Sequence, residues 1–337
     1  MNPRRILVTG GAGYIGSHTS KALAAAGMVP VVFDNLTNGH RQAVQWGPLV
    51  VGDVRDAAAL SAAMREHQVS AVIHFAGLIE VGRSVTQPDL FWDHNLNGVA
   101  SVLAAMRGAG VERIVFSSTA AVYGQPAGLE ALSEDTPTLP INPYGDSKLA
   151  GERMIAAHAR AFGLSGVALR YFNAAGADAE GRIGEAHHCE SHLIPLAIEA
   201  ALGVGRPLTV FGQDFPTADG ACVRDYIHVE DLADAHVRAL DLDVGDGGFA
   251  AMNLGTGKGS SVLEVIEAVS RAVGRPTPYS VGDRREGDPP VLVANPGQAG
   301  ERLGWRATRS SLDRIVESAV AWRRNAAFGP WMDQDAA

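Results

Sequence analysis

The sequence has little cysteine, no long apolar run and no excess of basic charge. Cys189 and Cys222 are its two cysteines in 337 residues. That excludes a disulfide framework and fits a reducing compartment. No apolar stretch approaches the ~20 residues that span a bilayer. The chain enters a strand-like segment at Ile6, leaving no room before it for the apolar core of a secretory signal. Lys and Arg number 28 against 37 Asp and Glu, a formal net charge of −9, which argues against a nucleic-acid surface. The expectation is a soluble, cytoplasmic protein that binds neither nucleic acid nor membrane. An acidic total still permits an anionic ligand, because local arginines and helix N-termini decide that.

What is present is a core-forming composition, 46% hydrophobic and 19% charged, in a chain long enough for two lobes. Short β-branched runs alternate with alanine-rich, helix-like stretches through the first half. Strands are expected at Ile6–Thr9, Val29–Asp34, Leu49–Gly52, Ala71–Phe75, Arg113–Ser117 and Gly166–Arg170. Helices are expected at Tyr14–Ala26, Ala57–His67, Leu90–Gly108 and Pro143–Phe162, and later at Val229–Leu240, Val262–Val273 and Ser311–Arg324. This rhythm predicts an α/β fold, a doubly wound parallel sheet of Rossmann type covered on both faces. The rhythm breaks near Asn173. Residues 1–172 are expected to form mainly a dinucleotide-binding lobe, and 173–337 a smaller substrate lobe interlocked with it.

Thr9-Gly10-Gly11-Ala12-Gly13-Tyr14-Ile15-Gly16 follows the first strand and opens a helix. Glycines at 10, 13 and 16 permit a tight turn, close approach of a pyrophosphate and close helix–strand packing. A glycine triplet alone marks many loops; its place between a strand and a helix gives it weight. Asp34 ends the second strand with Asn35 after it, where an acid accepts hydrogen bonds from an adenosine ribose. An acid there repels a 2′-phosphate, so NAD is expected over NADP. Asp53-Val54, after the third strand, is a candidate adenine contact.

Tyr144-Gly145-Asp146-Ser147-Lys148 puts Tyr and Lys four apart at a helix start, on one face. Ser117-Ser118-Thr119 ends the fifth strand, and the carboxyl ends of parallel strands face the ligand crevice. Glycine triplet, Ser/Thr and Tyr-x-x-x-Lys in this order resemble the extended short-chain dehydrogenase/reductase superfamily. The residue types suit proton transfer. A tyrosine acting as a base near neutrality must fall from pKa ~10 to about 7, worth about 4 kcal/mol. A cation about 4 Å away at an effective dielectric near 20 supplies roughly that much, and Lys148 and an oxidised, positively charged nicotinamide can share the task at longer distances. Tyr144 is the expected base and acid, Lys148 its electrostatic tuner, and Thr119 the orienter of the reacting oxygen.

Longer stretches resemble the UDP-galactose 4-epimerase family from Ile6 to Trp322: His74-Phe75-Ala76-Gly77-Leu78, Arg170-Tyr171-Phe172-Asn173, Arg224-Asp225-Tyr226-Ile227-His228-Val229 and Arg285-Glu286-Gly287-Asp288. The resemblance implies NAD as cofactor, UDP-galactose and UDP-glucose as substrates, and a homodimer through Leu90–Gly108 and Pro143–Phe162. It implies Phe75, Ala76, Gly77, Asn95, Tyr144, Lys148 and Phe172 beside the cofactor. Phe172, Asn173, His192, Leu193, Thr209, Val210 and Phe211 would line the nucleotide-sugar pocket with Thr119 and Tyr144. Arg224 and Arg285 would hold the diphosphate, a role that suits bidentate arginine. Asp288 would meet a ribose or uracil edge, and Leu292 would stand at the gate beside the sugar 2-position. Three positions depart from the family pattern: Ile79 where a lysine is usual, His94 where an asparagine precedes Asn95, and His192 where an asparagine touches the diphosphate.

The rival readings are a 4-epimerase of a UDP-pentose, UDP-uronate or UDP-N-acetylhexosamine, a 4,6-dehydratase, a net reductase and a non-catalytic NAD sensor. The dehydratase needs an acid–base pair after the threonine, and Thr119 is followed by Ala120 and Ala121. Retention of Thr119, Tyr144 and Lys148 argues against the sensor. Glu185-Ala186-His187-His188-Cys189-Glu190-Ser191-His192 invites a metal reading, but adjacent histidines converge poorly on one ion. A loop over the substrate, without metal, is expected there.

Overall fold

A computed structural model describes residues 3–329 apart from Ala127, Asp246 and Glu286. Glu286 of the Arg-Glu-Gly-Asp stretch therefore lies outside the described residues. Seven parallel strands form one sheet: β1 (Arg5–Thr9), β2 (Val29–Asp34), β3 (Leu49–Val51), β4 (Ala71–His74), β5 (Arg113–Thr119), β6 (Ser165–Tyr171) and β7 (Phe249–Leu254), in the order β7-β6-β5-β4-β1-β2-β3. The order reverses between β1 and β4, and the glycine loop leaves β1 at that point. Open α/β sheets bind ligands at such a reversal, outside the strands' carboxyl ends.

Both faces of the sheet are buried, so its strands read as nearly continuous apolar runs. Leu7, Val31, Val72 and Ile114 point toward α2 (Ala57–Glu66), α3 (Gly98–Ala109) and α4 (Pro143–Phe162), in one core with Met64, Leu103 and Ile155. Ile6, Val8, Ile73 and Val115 alternate with them and point the other way. They meet Leu23 of α1 (Tyr14–Ala25), Leu232 of helix Val229–Ala239, and Trp305. Helix starts follow local chemistry. The Asp56 carboxylate accepts from the N–H groups of Ala58 and Ala59 at the start of α2, and the Asn142 side chain accepts from Gly145 at the start of α4, with Pro143 at its first position.

The second half of the chain is not confined to a second lobe. Helix Val229–Ala239 packs beside α1, and β7 completes the sheet next to β6. What stands apart is a bundle of helices Leu193–Leu202, Val262–Val273 and Leu312–Asn325 around their own core, including Ile198, Val269 and Ile315. Short strands carry the cleft wall: Leu208–Phe211 beside Tyr279–Gly282, and Val223–Arg224 between Ser260–Ser261 and Val291–Leu292.

One helix departs from expectation. In place of a continuous helix over Leu90–Gly108, the chain forms a short helix at Pro88–Phe91, a π-helical turn at Trp92–Asn97, and then α3. The wider turn lets the Asn95 amide grip its surroundings, accepting from Leu78 N–H at 2.8 Å and donating to Leu78 C=O at 3.1 Å and to Ser147 Oγ at 3.0 Å. Such turns concentrate at functional sites.

Candidate active site

The glycine loop is a backbone device. A Cβ on Gly16 would lie 2.3 Å from the Gly10 carbonyl, and one on Gly10 would lie 2.7 Å from Ala76 N. Gly10 also takes φ +69°, which favours glycine. Gly13 meets nothing closer than 3.3 Å, so its side is the open one. It caps α1 without a side-chain hydrogen bond, and no acid sits in that helix's first turn. The N-terminal N–H groups of α1 are thus left for an anion, and these residues fit the pyrophosphate of NAD.

The flanking candidates are arranged around that loop. Asp34 is buried at the end of β2, with Oδ2 accepting from Ala12 N–H at 3.0 Å and Oδ1 from Leu36 N–H at 2.8 Å. Burial raises its pKa, opposed by those two N–H groups. Asn35 donates to Asp53 at 3.3 Å, and Asp53 is clamped by Arg55, whose hydrogen bonds hold the carboxyl well below its ordinary range. Tyr14 does not face outward: its hydroxyl donates to the Gly176 carbonyl at 2.5 Å, linking the loop to the second half of the chain. Val54 is buried in one core of the sheet, while Ile15 and Phe75 are half-buried against the other. Asn95 is spent on Leu78 and Ser147, so it positions the Gly77–Leu78 turn and α4.

Thr119, Tyr144 and Lys148 come together at the crevice. Thr119 ends β5; Tyr144 and Lys148 lie on the first two turns of α4. A Cβ on Gly145 would fall 2.7 Å from the Ala121 carbonyl, so glycine is what lets α4 dock this closely on the turn after Thr119. Tyr144 and Thr119 share a hydrogen bond that favours the phenolate, yet burial dominates and raises the Tyr144 pKa above 10. Lys148 is buried, donates to the Ser117 carbonyl at 2.9 Å, and is lowered by desolvation to about 8. Without a cofactor, burial outweighs the hydrogen bond that favours the Tyr144 phenolate.

Behind the trio lies a buried network that sequence reasoning passed over. Glu152, four residues beyond Lys148 on the same helix face, accepts from Arg170 Nε at 2.9 Å and Nη2 at 2.6 Å, and from the Ser118 hydroxyl. Arg170 also donates to Tyr123 Oη at 3.1 Å, which in turn donates to Asn253 at 2.7 Å. The readable signal was Glu152 in step with Tyr144 and Lys148. Asp225 was also missed: fully buried, it accepts from the N–H groups of Thr256, Gly257 and Ala294 and from the Thr256 hydroxyl. It fastens the strand that carries Arg224.

On the opposite wall Arg224 donates to the Val223 and Pro289 carbonyls at 2.9 Å and lies 3.4 Å from Asp288. The Arg285 guanidinium stacks 3.9 Å above the Phe211 ring. Along Leu208–Phe211, Thr209 and Phe211 face one side and Val210 is buried on the other, so Val210 can line a pocket only through its backbone. Leu292, paired with Arg224, packs, as Phe172 does, against the cluster of Val122, Tyr123, Leu132 and Leu149. Asn173 lies in the short strand that follows Phe172, paired with Tyr226. His192 hydrogen-bonds Glu185 through Nδ1 at 2.6 Å, and Leu193 begins the helix behind it.

The profile of the NAD-dependent epimerase/dehydratase family matches residues 6–255. The chain belongs to that family. It is 50% identical over 327 residues to a UDP-glucose 4-epimerase of Rhizobium meliloti (strain 1021), covering 96% of this chain and 99% of that protein. The crystal structure of UDP-glucose 4-epimerase from Brucella ovis in complex with NAD superposes with a TM-score of 0.91 at 48% identity, covering 94% of this chain and 97% of that one. The enzyme from Bifidobacterium longum, in complex with NAD+ and UDP, gives 0.89 at 39% identity, covering 95% and 98%.

Proposed function

We propose that this protein interconverts UDP-galactose and UDP-glucose at carbon 4 through a 4-keto sugar. The observation that carries the reading is Tyr144, Thr119 and Lys148 together at the end of β5, with the strand that pairs with Arg224 packed through Leu292 against the neighbouring Val122–Leu149 cluster. The trio handles a proton at a sugar hydroxyl; Arg224 and Arg285 suit a diphosphate. NAD, the family's cofactor, supplies hydride acceptance and return at carbon 4 when bound. Tyr144 takes the 4-hydroxyl proton and later gives it back, and Thr119 orients that oxygen. Lys148 keeps positive charge beneath the site. Arg224 and Arg285 hold the diphosphate while the 4-keto sugar turns its other face to the base. Residues 1–172 serve mainly the cofactor and 173–337 mainly the nucleotide sugar, interlocked through helix Val229–Ala239 and β7. Asp34 selects NAD over NADP.

The same reading makes the protein a cytoplasmic homodimer that packs α3 and α4 against their copies. In support, no described helix is long and apolar enough to cross a membrane. Phe162, at the end of α4, and Trp92, ahead of α3, are apolar and exposed.

The test is to add UDP-galactose to purified protein without external NAD and look for UDP-glucose. Conversion is expected, whereas Tyr144→Phe retains NAD and loses turnover by about 10²–10⁴-fold. No conversion by the wild type, or undiminished turnover in the variant, contradicts the assignment.

A further inference from the structure

Four side chains outside the catalytic trio and the arginine pair turn ligating atoms toward one another, one of them, His192, being also a position that the family resemblance sets near the diphosphate. They are Glu185, His187, Glu190 and His192, and the four atoms all lie within 4.8 Å of each other. The set is two imidazole nitrogens and two carboxylates. His187 Nδ1 is 3.4 Å from Glu185 Oε1 and 3.3 Å from Glu190 Oε2. His192 Nδ1 is 3.3 Å from Glu190 Oε1 and 2.6 Å from Glu185 Oε1. Metal–ligand bonds of about 2.0–2.1 Å at tetrahedral angles put ligand atoms roughly 3.3–3.4 Å apart. With a single Glu190 oxygen as ligand, two of these separations have that length, because His187 and His192 face different oxygens of that carboxylate. The contact between Glu185 and His192 is a hydrogen bond that a small side-chain rotation opens.

The adjacent histidines do diverge, as their sequence order suggests. His188 turns to His40, with ring centroids 5.4 Å apart, and it is the non-adjacent His187 and His192 that converge. Surrounding groups hold the ligands in place. Glu190 Oε1 accepts from the N–H groups of Ser191 and His192, each at 2.8 Å. Trp322 Nε1 donates to the Glu185 carbonyl at 2.9 Å. The His187 ring meets the edge of Tyr14 at 6.4 Å. Outer contacts of this kind orient metal ligands. Two carboxylates balance a dication, and paired imidazoles favour a borderline ion such as zinc over magnesium or calcium.

We propose that Glu185, His187, Glu190 and His192 form a zinc site that closes the loop before helix Leu193–Leu202 on itself, with the His187 ring set against Tyr14 of α1. Four protein ligands close the coordination sphere, so the ion's part is structural. The chain just before this loop is joined to α1 separately, by Tyr14 to the Gly176 carbonyl and Lys21 to Asp178.

Tag-free protein, stripped with a chelator and titrated calorimetrically with zinc chloride alone, is expected to bind one equivalent. Its thermal midpoint should rise by about 2–5 °C. His192→Ala and Glu190→Gln should each lose at least about tenfold in zinc affinity. Glu190→Gln conserves volume, and its zinc-free melt reports whether the fold has survived. His188→Ala and Cys189→Ser should bind as wild type does, since His188 points to His40 and Cys189 is exposed. Failure of the wild type to bind, or equal binding by both quartet variants, overturns the site and leaves a plain ion-pair network. Loss in His188→Ala or Cys189→Ser overturns it as adventitious surface binding. None of these readouts depends on turnover, so the epimerase reading stands or falls separately.

Discussion

The crevice at the ends of the parallel strands is shaped by backbone, while the wall across from it is shaped by side chains on strands as short as two residues. On the side proposed for the cofactor, Gly10, Gly13 and Gly16 contribute shape and N–H groups, with Val54 buried in the core behind them. On the side proposed for the sugar, Arg224, Arg285, Phe211 and Leu292 offer side chains, and buried Asp225 ties the strands of Arg224 and Leu292 together. Backbone recognition tolerates varied side chains but little added volume. Side-chain recognition should respond in the opposite way, shifting specificity with little effect on the fold.

The largest effect expected from this contrast follows one methyl group. In Gly16→Ala the new Cβ would fall 2.3 Å from the Gly10 carbonyl, and a backbone oxygen cannot swing aside as a flexible side chain does. The turn must open, at a cost of more than about 3 kcal/mol, and the spacing of the α1 N–H groups is lost with it. Purified Gly16→Ala is expected to carry little NAD, measured by cofactor release and mass. Retention at the wild-type level would show that the loop is less confined than its geometry implies.

Lys148 gives a smaller effect with a defined pH dependence. Burial lowers its folded pKa to about 8, against ~10.4 unfolded. Below pH 8 both states hold the proton, and the folded state carries the cost of a buried charge. Between about 8 and 10.4 the unfolded chain binds more protons, so the stability of cofactor-free protein rises through that window. The cost below it is at most about 3 kcal/mol, reduced by the hydrogen bond to Ser117. Cofactor-free Lys148→Met should therefore be more stable than wild type at pH 7 in urea unfolding, while losing activity. That advantage should shrink between pH 8 and 10.4, and a constant one would mean that lysine packing, not its charge, sets the difference.

The same contrast explains what could be read in the sequence. β1, β2 and β4 follow from β-branched runs, and α4 from Asn142, Pro143 and Gly163 at its ends. The glycine loop and Tyr-x-x-x-Lys lie within segments whose local conformation is strongly favoured. The π-helical turn at Trp92–Asn97 was hidden, because it depends on Asn95 meeting Leu78 and Ser147, 17 and 52 residues away. Val210 needed a strand register that four residues cannot announce. Helical spacing puts Glu152 in step with Lys148, but its pairing with Arg170 forms only when α4 meets β6, and the Glu185–His192 quartet, though within eight residues, depends on how its loop folds back.

Leu292 offers the finest test, because it belongs to the side-chain wall and touches no proposed reacting group. It is half-buried, paired with Arg224 through its backbone and packed against the Val122, Tyr123, Leu132 and Leu149 cluster. Only a side-chain change is needed to alter it, and the strand register with Val223–Arg224 should survive. Leucine is large enough to crowd an acetamido group at the sugar 2-position, yet it can change rotamer more readily than a packed aromatic ring. Overpacking by that group costs about 1–3 kcal/mol, or roughly ten- to hundredfold in specificity. The wild type is thus expected to prefer UDP-galactose and UDP-glucose clearly, with weak turnover of UDP-N-acetylgalactosamine. Leu292→Ser should raise kcat/KM for the acetylated sugar about tenfold relative to UDP-galactose, with NAD content unchanged. If the serine variant gains nothing on the acetylated sugar, Leu292 serves only to pack the cluster around Val122 and Leu149, and selectivity lies elsewhere on the wall. If it also loses NAD, the two sides of the cleft are not separable in the way their construction suggests.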